Sequence, residues 1–201
     1  MIRRGCLGCL IPLLALALLA YAIHLWTTPP GYSHVNPAPP GTLQLAEAQA
    51  VAAALSGGQS VAVVHLTDAE ATSLLQNSLG GYDGLSNLEV HALKGRVVVS
   101  GQTSILNHPL VISGPVVFGG EGGSRIKLRF TGLSIGQMTL PSLIPQALAR
   151  GFHPAFALAL IAGDDDLSFS CEAARPNDLI VGVTFGQGKP AAGVDACSAR
   201  S

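Results

Sequence analysis

The sequence predicts an α+β fold: an N-terminal transmembrane helix, then a curved antiparallel sheet packed on two or three helices. Three observations predict it. Residues 5–26 form an uncharged, largely apolar run behind Arg3 and Arg4. From Asn87 to Pro141 the apolar residues recur with the period of two that a half-buried strand requires. Helix-start and helix-stop residues fall on either side of that stretch.

The run from Gly5 to Trp26 is long enough as a helix, at about 1.5 Å per residue, for a bilayer core of about 30 Å. Arg3 and Arg4 belong on the cytoplasmic side. Tyr21 and Trp26 fall where an outer interfacial belt would be, so everything after Thr27 is expected outside the cytosol. A cleaved secretory signal is the competing reading, because Ala20-Tyr21-Ala22 has the small-x-small form of a cleavage site. Ile23 to Trp26 prolong the apolar run past that cut, which favours a retained anchor. Cys6 and Cys9 precede the run and are read as inert or as acylated juxtamembrane thiols.

Residues 27–41 are a proline-rich linker, expected to be extended and to hold the following domain, residues 42–201, off the membrane. Leu43 to Leu55 is an alanine-rich helix with Leu43, Ala46, Ala50 and Leu55 loosely at helical spacing, ended by Ser56-Gly57-Gly58. Ser60 to His65 reads as a short strand. Thr67 followed three residues later by Glu70 is a capping box. It opens a helix that carries Leu74, Leu75 and Leu79 and stops at Gly80-Gly81.

Strands then follow at Leu88–Ala92, Arg96–Ile105, Leu110–Phe118 and Arg125–Ile135. In Arg125 to Phe130 the alternation is strict. Ile126, Leu128 and Phe130 share one face, and Arg125, Lys127 and Arg129 form a basic stripe on the other, the ordinary solvated face of a half-buried sheet or a contact for anionic headgroups. The loop 119–123 lacks the Lys-Ser/Thr pair of a phosphate loop. Ser142 to Ala162 reads as a second helical region broken near Gly151 and Pro154. Its apolar end, Ala155 to Ala162, is either a core helix or a ligand contact, being too short to span a membrane. Leu167–Ala173 and Leu179–Phe185 close the fold as a hairpin.

Eleven basic residues, two of them Arg3 and Arg4, stand against twelve acidic ones that all follow the anchor. That balance excludes an electrostatic nucleic-acid binder. Cys171 and Cys197 lie in the exported part. A bridge there would close a loop worth around 3 kcal/mol in the chain-entropy model, and two free buried thiols are the alternative. No G-x-S-x-G or H-E-x-x-H occurs, and the six histidines never pair at i, i+4. Asp164 to Asp166 lack the D-x-D-x-D-G spacing of a calcium loop. No catalytic residue, metal ligand or cofactor is assigned, and the chain is expected to be non-enzymatic.

Three stretches carry a resemblance: Leu66 to Leu75 (LTDAEATSLL), Gly95 to Gly101 (GRVVVSG) and Gly132 to Pro141 (GLSIGQMTLP). With the order of elements, they resemble the YpmS-like and LmeA-like membrane-anchored extracytoplasmic proteins, over less than half of the chain. Ala71 and Thr72 depart from that pattern, which tends to leucine and asparagine there, and the helix from Leu43 to Leu55 is extra. The resemblance implies a curved sheet wrapping a long helix, related to the tubular lipid-binding superfamily, with an apolar concave face for acyl chains. On face and helix phase the expected lining is Ile126, Leu128, Phe130, Leu143, Leu148, Phe156 and Leu160. The expected function is a single-pass cell-membrane protein whose domain binds lipid or another apolar ligand. The alternative is an assembly module docking on another envelope protein, for instance through an edge strand.

Overall fold

The computed structural model describes residues 7–59, 61–79, 85–105, 108–120, 125–141, 155–157, 167–185 and 197. It is a mixed α+β fold with two antiparallel sheets and three helices among the described residues.

Helix α1 (Leu7–Thr27) ends as its residues dictate. The hydroxyls of Thr27 and Thr28 turn back to donate to the carbonyls of Ile23 and His24, and Pro29-Pro30 cannot extend the helix. Its apolar side chains are bare. From Ile11 to Trp26 nine large ones are between 43% and 68% exposed. Among the described residues no helix is long and apolar enough to cross a membrane, and the described side chains of α1 begin at Ile11.

Helix α2 (Thr42–Ser56) starts after Gly41 in the left-handed region and stops at Gly57-Gly58. Strand β1 (Val61–Leu66) follows. Helix α3 (Asp68–Leu79) opens on the predicted capping box: Glu70 Oε2 accepts from the Thr67 amide at 2.9 Å, and the Glu70 amide donates to Thr67 Oγ1 at 3.3 Å.

The strands β2 (Ser86–Leu93), β3 (Arg96–Ile105), β4 (His108–Gly120), β5 (Arg125–Phe130) and β8 (Ala155–Ala157) form the larger sheet in that order. The two-residue strands β6 (Ser134–Ile135) and β7 (Met138–Thr139) hang on β4. The smaller sheet is β1, β10 (Asp178–Phe185), β9 (Leu167–Arg175). The core lies between the sheets. Val64, Leu66, Leu179, Val181 and Val183 from the smaller sheet meet Leu88, Val90, Ala92, Val97, Val99, Val116 and Leu128 from the larger, with Ala71, Leu74 and Leu75 of α3.

Three expectations are corrected. The sheet is not single: β1 pairs with the C-terminal hairpin, not with the meander. The expected strand Arg125–Ile135 is broken at Thr131. The reason is Pro115 of β4, whose carbonyl accepts from the Thr131 amide at 2.8 Å but which has no N–H to return. The chain bulges by one residue and rejoins β4 at Ile112 and Ser113. Ala155–Ala157 is a strand on β5 rather than part of a helix, as short apolar runs are ambiguous in period. The rest of the expected second helix, 142–154 and 158–162, lies outside the described residues.

The linker, expected to be extended, also packs along the domain. The Tyr32 ring stacks on His91 at 4.9 Å, His34 pairs with Glu89, and the Ala38 amide donates to the Ala69 carbonyl at 3.0 Å. The end of α1 is docked as well. The Gln137 amide donates to the Leu25 carbonyl at 2.9 Å, and a Cβ on Gly136 (φ +57°) would fall 2.4 Å from the Trp26 carbonyl oxygen.

Candidate functional site

The expected apolar lining is only partly assembled. Leu128 is 3% exposed and belongs to the core, and Phe130 packs against the same cluster. Register pairs Ile126 with Phe156 across β5 and β8. Leu143, Leu148 and Leu160 lie outside the described residues. The face expected to meet a ligand is closed by the chain's own side chains at Leu128 and Phe130.

The covering element with an anomaly is α2, which packs against β1 and α3. Glu47 is its only ionisable side chain, and it points inward at 1% exposure. It lies one turn from Leu43 and one turn from Ala50, both packed against the core, and two turns from buried Ala54. Among the described residues neither carboxylate oxygen has a hydrogen-bond partner. Burial pushes this carboxyl up to about 7, because nothing nearby stabilises its charge. Sequence reasoning missed it by phasing the helix on Ala46 and Leu55; Leu55 is 60% exposed. The available signal was the single charge in the i, i+4, i+7 series that starts at Leu43.

A second polar group is buried around His91. Its Nε2 lies 3.2 Å from Ser100 Oγ and 3.4 Å from Glu89 Oε2. A serine–histidine–acid relay needs the acid on one ring nitrogen and the hydroxyl on the other. Here both address the same nitrogen, so the acid cannot hold the imidazole in the required tautomer. Burial holds His91 below the usual imidazole range, against the opposing charges of Glu89 and Asp68. Its role is structural: it is the platform for Tyr32, while Glu89 takes His34 and the Val35 amide. His65 and Asp178 make an exposed pair at 3.1 Å, of the kind that contributes little.

On the smaller sheet, Cys171 and Cys197 are joined by a disulfide, with Cα atoms 6.1 Å apart. Gly182 of β10 makes room for it: a Cβ there would lie 2.5 Å from Cys171 Sγ. Glu172, next in the chain, accepts the Phe118 amide at 2.9 Å and so ties β9 to β4. Burial raises its carboxyl and that hydrogen bond opposes the rise. Among the described residues no group of three or more His, Cys, Asp or Glu could hold a metal ion.

No family model, curated protein or solved structure matches this chain. The site is therefore read from its own geometry.

Proposed function

We propose that the chain is a single-pass membrane protein whose domain lies outside the cytosol and binds lipid or another apolar ligand without catalysing a reaction on it. The observation that carries this reading is α1. Its large apolar side chains stand exposed, and each would stabilise the protein by about 1.5–3 kcal/mol if taken out of water. Counted from Leu7 the helix has 21 residues, about 31 Å, and Gly5 and Cys6 extend the uncharged sequence before it. The Cys171–Cys197 bridge fits an oxidising compartment. The apolar ligand is supported by the resemblance to the YpmS-like and LmeA-like proteins and by the core between the sheets, where an acyl chain could take the place of a covering helix.

The closed core also favours a second reading, a module that docks on another envelope protein. Native mass spectrometry of the full chain, taken from the membranes of the producing cell in mild detergent, separates the two. A bound species of lipid mass that survives detergent exchange, and that organic solvent removes, is the expected result. A bare protein mass from a folded sample overturns ligand binding and leaves the docking module. Release of the chain from membranes by alkaline carbonate would overturn the anchor separately.

A further inference from the structure

Helix α2 buries Leu43, Ala50 and Ala54, yet two of its features are out of place. Its one charge faces the core, while Leu45, on the opposite side, and Leu55 are each 60% exposed. A surface helix settled in its only state places these the other way round. It is attached to the domain by packing and not by hydrogen bonds. Among the described residues every hydrogen bond made by α2 is local, within the helix or to its flanking residues Pro39, Gly41, Gly57, Gly58 and Gln59. Its N-terminus has no side-chain cap. Both ends join the domain through glycines in the left-handed region, Gly41 at φ +94° and Gly58 at φ +65°, the residue type that sets the fewest steric limits on a change of backbone direction. Beneath it lies the apolar cluster between the sheets.

We infer that α2 is a hinged cover over the apolar core, and that the negative charge of Glu47 releases it. This deepens the reading of the domain as a binder of apolar ligands, and rests on it only for what enters once the cover is off. With Glu47 protonated, the carboxyl is merely a poorly partnered polar group between Leu43 and Ala50. Once ionised, it is an unpaired charge in an apolar layer, which the structure relieves most cheaply by lifting the helix into water.

Among the described residues no group on the elements packed against α2 offsets that charge. On β1 the only titratable residue is His65, exposed and paired with Asp178. On α3 they are Asp68 and Glu70, which share the sign of Glu47 and are bonded to Ala92 and Thr67. In the adjoining linker His34 is taken by Glu89. The cover is therefore seated at mildly acidic pH and loosened at alkaline pH. When lifted it uncovers the face of Leu43 and Ala50 to an incoming acyl chain or to a membrane surface.

Hydrogen exchange on the full chain in lipid nanodiscs tests this, with rates corrected for intrinsic base catalysis. If the carboxyl titrates near 7 when covered and near 4.5 when free, opening of residues 42–56 should rise roughly thirtyfold between pH 5.5 and pH 8.5. Residues 96–105 of β3 should keep their protection over the same range. In Glu47→Gln the dependence on pH should fall below about twofold. A flat wild-type profile overturns the cover. So does loss of protection in β3 in step with α2, which would mean global unfolding, and so does an unchanged pH dependence in Glu47→Gln. The wild-type profile alone decides the matter if the variant does not fold. Absence of lipid beside a pH-dependent α2 would overturn the ligand and leave the cover standing.

Discussion

At the scale of single residues, Glu47 and His91 set opposite limits on stability. Folded, Glu47 holds its proton up to about pH 7, whereas in the unfolded chain it loses it near 4.5. Between those values the folded state binds more protons, so stability falls as pH rises and stays lowered above the window. His91 acts the other way: burial favours its neutral form, so stability falls as pH drops through the ordinary value of 6.5. Glu47→Leu removes the first effect and keeps the second. The stabilisation it brings, measured by urea unfolding, should be about 2–3 kcal/mol larger at pH 8 than at pH 5. An equal gain at both values would mean that Glu47 stays ionised in the folded protein.

At the scale of elements, α3 protects the exposed side of β2, an edge strand. Asp68, Thr72 and Gln76 stand one turn apart along the helix and address successive outward backbone groups. Asp68 Oδ1 accepts from the Ala92 amide at 2.8 Å, Thr72 Oγ1 from the Val90 amide at 2.9 Å, and Gln76 Nε2 donates to the Leu88 carbonyl at 2.8 Å. A helix has taken the place of the missing strand. Thr72 is fully buried, so Thr72→Val keeps its shape but strands the Val90 N–H. The expected cost is about 1–3 kcal/mol in chemical unfolding, and a loss below about 0.3 kcal/mol would show that the amide finds another partner. The helix itself was legible, because a capping box lies within four residues and the leucines mark the inner face. The hairpin around Arg175 to Asp178 and the bounds of β3 were legible for the same local reason. The polar stripe of α3 was not, since its partners are backbone groups of a strand fixed only by tertiary packing. The break at Thr131 lay in the sequence as Pro115, a proline inside an expected strand, but its effect falls on the neighbouring strand. Of the candidate site, Leu128 and Phe130 were placed on the correct face of β5. Glu47 went unseen because alanines on every side of α2 leave its phase undefined until it packs.

At the scale of the whole molecule, the decisive feature is that the N-terminal helix and the domain are joined by structure rather than by a swinging tether. Two independent contacts make the joint. The linker is fastened to β2 and α3 through Tyr32, His34 and Ala38, and the last turn of α1 is capped by the β6–β7 turn at Gly136 and Gln137. Gly136 is the critical position. It adopts φ +57°, and its missing side chain leaves the space in which the carbonyls of Leu25, Trp26 and Thr28 sit. If α1 lies in a bilayer, this joint holds the β6–β7 turn beside the point where the helix leaves the lipid. Gly136→Ala should free α1 without unfolding the domain. Spin labels at Leu18→Cys and Lys94→Cys, with Cys6 and Cys9 replaced by serine, report the angle between helix and domain by pulsed electron resonance in nanodiscs. The wild-type background should give one narrow distance distribution and Gly136→Ala a broad one. Two narrow distributions would show that the Tyr32–His91 stack and the His34–Glu89 pair hold the helix unaided. Adding His34→Ala and Tyr32→Ala to the glycine variant should then release it, because among the described residues the linker would keep only the long Val35 amide contact to Glu89, at 3.4 Å, on β2.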